Sequence, residues 1–144
     1  MRVLGIDFGK RRVGLAISDP TGTLARPLAT LTVTSAPDAV HQVAAEATRL
    51  AAEEEGLDAI VVGLPARLDG SATEETASVA AFIRALGARV PVRIVTGDER
   101  LTSHEAESRL AAGERDWRRR KEKLDAAAAA IILQDYLDQQ GRES

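Results

Sequence analysis

Cysteine is absent from the 144 residues, which excludes disulfides, thiolate nucleophiles and cysteine-based zinc sites. Histidine is nearly absent, with His41 and His104 the whole supply, too few for a zinc site built on imidazoles. Aromatic residues make up 3% of the chain, so a stacking platform for unpaired bases is not to be expected. A surplus of positive charge is missing too: 19 Lys and Arg against 22 Asp and Glu leave a formal charge of −3. Such a chain cannot coat nucleic acid through bulk charge and needs a local basic patch to bind it. No apolar run approaches membrane-spanning length, and charges at 2, 7, 10, 11 and 12 interrupt any signal-peptide core. The expectation is a cytoplasmic protein without membrane contact, folded as one domain over 1–144 with room for one core. Any metal must then be held by carboxylates, which favours Mg2+ or Mn2+.

What is present begins at the N-terminus. Val3 to Phe8 is an apolar run of strand length, of the kind covered on both faces, yet a carboxylate interrupts it at Asp7. An unpaired buried carboxylate is costly, so Asp7 requires a partner, a metal or a strand end open to solvent. Gly9 permits a turn, and the apolar run Val13 to Ile17 predicts a hairpin with Lys10, Arg11 and Arg12 at its tip. An acid at a strand mouth beside a basic turn suits metal and phosphate chemistry. A plain ion pair between Asp7 and one of those cations fits the same letters.

Further along, Leu24 to Val33 reads as a third strand, and Pro27 places it at a sheet edge. Val40, Val43, Ala44, Ala47, Leu50 and Ala51 recur at helical spacing before a stop at Gly56; His41 sits on that helix as a surface or cap residue. Asp58 to Leu64 is a second buried-type strand, parallel to its neighbour if a helix crosses over between them. Ser71 and Glu74 have capping-box spacing for a helix that turns Val79, Phe82, Ile83 and Leu86 inward and ends at Gly87. Its first turn could cradle a phosphate or merely cap itself. Val90 to Thr96 predicts a short strand, followed by the acids Asp98 and Glu99 and a helix from Thr102 to about Gly113. His104 there reads as an exposed first-turn residue, with assistance at the site as the alternative.

The run from Gly113 to Lys123 is the one dense basic stretch. It reads as a loop ahead of the last helix, and contact with a phosphate backbone is favoured over a merely solvated loop. The last helix is expected over Lys121 to Gln139. Ala128, Ala129, Ile132 and Tyr136 form its inner stripe, and Asp125 lies on the same line. If strands one, four and five are parallel neighbours, acids of distant sequence origin converge at one end of the sheet. Lys10, Arg11 and Arg12, together with Arg118, Arg119, Arg120 and Lys121, would neutralise flanking phosphates.

Four segments carry a family likeness: Gly5-Ile-Asp7-Phe-Gly9-Lys-Arg-Arg-Val-Gly-Leu-Ala; Val61-Val-Gly-Leu-Pro65 with Asp69-Gly70; Asp98-Glu99-Arg100-Leu-Thr102; and Lys123-Leu-Asp125-Ala-Ala with Ile132-Leu-Gln-Asp-Tyr-Leu. In this order and over nearly the whole chain they resemble the YqgF/RuvX family. The resemblance implies an α/β fold of the ribonuclease H-like kind, in three layers, with a mixed five-stranded sheet and helices on both faces. It implies a bacterial cytoplasmic nuclease maturing the 5′ end of the pre-16S ribosomal RNA. The same family is also described as homologous to Holliday-junction resolvases, so branched DNA is the alternative substrate. A ribosome-assembly factor that holds RNA without cutting it is a further alternative. Motif by motif, the catalytic and metal-binding acids fall on Asp7, Glu99 and Asp125. Resolvase relatives place the second acid on another strand, where this chain has Gly63. The choice of Glu99 over Asp98 comes from the resemblance, because the residues alone leave it open. Phosphodiester hydrolysis by carboxylate-held Mg2+ or Mn2+ follows, with two ions activating water and stabilising the leaving oxygen. A kinase or ATPase of the actin type shares the Asp-x-Gly turn but pairs two such domains. Monomer and homodimer both remain open.

Overall fold

The structure, a computed structural model, describes residues 1–64, 74–98 and 117–143, with backbone alone at 74, 98, 117–124, 142 and 143. Five strands and three helices follow in the order β1 (Val3–Phe8), β2 (Arg12–Ser18), β3 (Ala25–Thr32), α1 (Ala36–Ala52), β4 (Ala59–Leu64), α2 (Glu74–Gly87), β5 (Arg93–Asp98) and α3 (Trp117–Glu143). The sheet order is β3-β2-β1-β4-β5. The first three strands form an antiparallel meander, and β4 and β5 run parallel to β1. The sheet is therefore mixed, with β1 at its centre. Pro27 lies on the edge strand β3 as its missing N–H requires, opposite Ala16 and beside a register shift between Leu15 and Ala16.

Strand alternation divides the sheet into two faces. Leu4, Ile6, Leu15, Ile17, Ile60 and Val62 pack on the side of α1 and α2, where Val43, Leu50, Phe82 and Leu86 complete the core. Val3, Ala16, Ala59 and Val61 face the other way, onto Ala129, Ile132, Leu133 and Tyr136 of α3. The residues on the α3 side are small. At Gly5 an added Cβ would stand 2.7 Å from Leu133 Cβ, so the glycine lets the helix lie almost on the sheet. Ala128 departs from the expected stripe, being buried with Ile131 in a separate small cluster.

Arg2 ties the layers together at the amino end of β1. Its guanidinium donates to the carbonyls of Leu50 and Gly56, at 2.9 and 2.8 Å, and to Glu53 Oε1 at 3.0 Å. It thereby gives the Leu50 carbonyl a second donor beside Glu53 N and pairs the carbonyl of Gly56 in the turn after α1. Gly56 takes φ +66° in the same turn.

Three expectations need correction. Arg12 is the first residue of β2 rather than part of the hairpin tip, because the ladder with β3 extends to it opposite Thr32. β5 begins at Arg93 and includes Gly97 and Asp98, since pairing with β4 continues through Gly63–Gly97 and Leu64–Asp98. The last helix starts at Trp117, so residues 117–123 of the basic run are helical and not a loop. From Trp117 to Gln140 there is no Gly or Pro, and Arg, Lys, Glu, Leu and Ala are strong helix formers. No helix among the described residues is long and apolar enough to cross a membrane.

Candidate active site at the carboxyl end of the parallel strands

Because β1, β4 and β5 run parallel, their carboxyl ends share one edge of the sheet, where sites in open α/β sheets form. Asp7 stands at that end of β1. Val3 faces α3, so period-two alternation gives Gly5 and Asp7 to the same face. Asp7 lies directly opposite Gly14 of β2, and directly opposed residues of an antiparallel pair share a face.

Gly14 is where helix and sheet touch. A Cβ there would stand 2.0 Å from the carbonyl oxygen of Asp125 and 2.4 Å from its carbonyl carbon. The backbone of α3 thus rests on β2 beside Asp7, which brings acids 118 positions apart (125 − 7) to the same face of the sheet. Two residues before Gly14, on the same face, Arg12 donates from Nε to Asp125 Oδ2 at 2.7 Å. Arg12 and Asp125 keep 29% and 24% of their side-chain exposure, so the pair is shielded but reachable from solvent.

The register reveals something that motif reading missed. Gly63 follows Val62, the partner of Ile6, and so lies level with Asp7; Gly63 pairs in turn with Gly97. From β2 to β5 the row at the site reads Gly14, Asp7, Gly63, Gly97, and Asp7 carries its one side chain. Glycine weakens a strand interior and marks a place where something approaches the backbone closely. Three such glycines in otherwise apolar strands were the available signal, but their alignment depends on register. Over the row the α3 backbone fills the space at Gly14, and the side chains of Val61 and Ile132 stand by Gly97.

Of the remaining expected site residues, Lys10, Arg11 and Arg12 are described with their side chains. Lys10 and Arg11 lie exposed in the β1–β2 turn. Lys10 also borders a cavity of about 660 Å3 on the opposite face of the sheet, with Phe8 and Phe82, whose rings are 4.4 Å apart, in its wall. Arg12, expected as a phosphate contact, is bound to Asp125, because its strand position points it at the helix. Arg118, Arg119, Arg120 and Lys121 fall in the first turns of α3, their side chains outside the description. Glu99, the second expected acid, lies outside the described residues, as do Ser71, Thr102 and His104. His41 is exposed, its Nδ1 3.4 Å from an Arg89 nitrogen. Among the described residues no group of three or more His, Asp or Glu stands together. Asp7 and Asp125 nonetheless supply an all-oxygen donor set that suits a hard divalent ion, and Asp125 already attracts a cationic group.

Comparison with known proteins gives a consistent result. A family model described as RuvX, Holliday junction resolvase, matches residues 1–139. A protein of Pelotomaculum thermopropionicum named "Putative pre-16S rRNA nuclease" is 36% identical over 142 residues, covering 99% of this chain and 90% of its own. Proteins with the same name from Chloroflexus aggregans and Maridesulfovibrio salexigens are 41% and 43% identical, over 94% and 95% of this chain and 92% and 98% of theirs. Among solved structures, Thermus thermophilus RuvC in complex with a Holliday junction substrate aligns with TM-score 0.55 at 18% identity, covering 98% of this chain and 96% of that one. That likeness is one of fold, and the fold is the ribonuclease H-like α/β arrangement with helices on both faces of a mixed five-stranded sheet.

Proposed function

The chain belongs to the RuvX family, and from that premise we propose that it is a metal-dependent nuclease hydrolysing phosphodiester bonds, acting in processing of the 5′ end of pre-16S ribosomal RNA. The observation that carries the reading is the meeting of Asp7 and Asp125 on one face across Gly14. The full-length relatives named as pre-16S rRNA nucleases favour an RNA precursor. The description of the family model favours a four-way DNA junction as the second reading.

Asp7 and Asp125 would hold the divalent ion, Mg2+ or Mn2+, together with Glu99. The choice of Glu99 rather than Asp98 follows the family's Asp98-Glu99-Arg100 motif. Bound there, divalent ions in a pair supply an activated water and a stabilised leaving oxygen. The chain's own groups do the rest. Asp7 projects from a rigid central strand, so the reacting phosphate meets a ligand with little freedom to move. Lys10 and Arg11 in the exposed turn, and Arg118, Arg119, Arg120 and Lys121 at the start of α3, would neutralise flanking phosphates. In this reading residues 1–144 act as one domain.

The test compares the chain with Asp7→Asn on a pre-16S precursor, single strands and four-way junctions, in Mg2+ and in Mn2+. Even outer-shell partners of a metal are worth ~10- to 100-fold, so Asp7→Asn should lower cleavage by more than about a hundredfold while RNA binding persists. Undiminished cleavage by pure Asp7→Asn protein would overturn the assignment. Binding without product under either ion would favour a non-catalytic role in ribosome assembly.

A further inference from the structure

The hairpin cation expected to meet substrate is instead bound to a proposed metal ligand. Arg12 Nε donates to Asp125 Oδ2 at 2.7 Å, and both side chains are about three-quarters buried. An arginine in a protein keeps its proton, so a fixed positive charge sits on an oxygen that a divalent ion would use. Both cannot hold that oxygen well, because like charges a few ångströms apart repel strongly at a shielded site. The helix cannot step aside to resolve the conflict. Its backbone at Asp125 is seated against Gly14, and Arg12, with the longer side chain and more rotatable bonds, is the partner that moves more readily.

We propose that Arg12 is a positioning residue of the site: it holds the Asp125 carboxylate in place while no divalent ion is bound, yields that oxygen when one arrives, and then turns to a substrate phosphate. The proposal rests on the nuclease reading above. Arg12 stands beside the exposed turn of Lys10 and Arg11, at the edge where a phosphate backbone would cross. While paired, it offsets one of the two acids and limits their mutual repulsion in the metal-free protein. Once released, it adds a cation to the substrate face only in the metal-loaded state. Metal and nucleic acid therefore favour each other's binding, and the coupling is reciprocal.

Isothermal titration of the full chain with Mn2+ alone tests the first half. Arg12→Gln should bind Mn2+ about fivefold tighter, the size expected for loss of a partly shielded competing ion pair. Arg12→Lys should restore weaker binding, and melts without metal should show both variants folded. A residue that merely packs would leave the affinity unchanged or lower it. Equal or weaker Mn2+ binding by Arg12→Gln would overturn the exchange while leaving the nuclease reading standing. No Mn2+ binding by either protein would overturn both. The second half is read from the salt dependence of binding to a phosphorothioate RNA hairpin. With Mn2+ present, Arg12→Gln should reduce the slope of log affinity against log salt by about 0.7–0.9, one phosphate contact; without Mn2+ the slopes should coincide. Identical slopes in Mn2+ would overturn the turn to phosphate.

Discussion

At the scale of single residues, position 14 has no room for even a methyl group. The atoms a Cβ would strike belong to the backbone of Asp125 and Ala126, at 2.0, 2.4 and 3.0 Å, and no side-chain rotation relieves the clash. Gly14→Ala should therefore lift α3 from β2 at Asp125 and destabilise the fold by about 1–3 kcal/mol, the usual penalty of overpacking. It should also reduce cleavage under conditions where the variant is still folded, since Asp125 moves away from Asp7. Gly97→Ala is the control on the same row: among the described residues its Cβ would meet the methyl ends of Val61 and Ile132, at 3.3 and 3.4 Å, which can give way. Urea denaturation of the two variants should separate them clearly. Equal stability losses would mean that the helix is not seated as described.

At the scale of elements, the turn from β2 to β3 carries a pH signature. Asp19 accepts hydrogen bonds from the Thr21 hydroxyl and from the backbone N–H groups of Leu24 and Thr23. These bonds, the hydroxyl first, pull its carboxyl from 3.8 down to about 2. The folded value lies below the unfolded one, so the stabilising contribution is complete above pH ~4 and is lost as pH falls through about 2. NMR titration of the Asp19 carboxyl should find a midpoint near 2, and Asp19→Asn should flatten that part of the acid unfolding curve. A midpoint at the ordinary carboxylate value would show that the turn does not hold in solution. Elements of this kind were largely legible from the letters. Val3–Phe8, the helix carrying Val43 and Leu50, and the edge strand with Pro27 follow from local apolar period and turn chemistry. Less legible were the boundaries set by partners: β5 gains Gly97 and Asp98 by pairing with β4, and α3 extends back to Trp117 through residues whose charge suggests a loop.

At the scale of the whole molecule, α3 packs against all five strands on one face of the sheet and carries Asp125, one of the proposed metal ligands. α3 is tied to both edges: Gln134 accepts from Ala25 N and donates to the Thr23 carbonyl, each at 2.9 Å, and Tyr136 receives a bond from Arg93 at 3.3 Å. Its middle is seated by Gly5 and Gly14. The convergence of Asp7 and Asp125 could be anticipated from the strand order and the inner stripe of the helix. The glycine row and the Arg12–Asp125 pair could not, because both depend on which residue stands opposite which across a sheet. An ion held between Asp7 and Asp125, as proposed above, would act as a brace across β1 and α3. A ligand that binds only the folded chain stabilises it by RT ln(1 + [L]/Kd), about 2.7 kcal/mol at a hundred times Kd. Mn2+ at that excess should raise the melting temperature by several degrees, and chelator should reverse the gain. Asp125→Asn and Asp7→Asn should each remove most of it. Hydrogen exchange should slow on Mn2+ addition in α3 and in β1 together. Protection confined to the β1–β2 turn would place the ion away from the helix and break the link between Asp125 and the site.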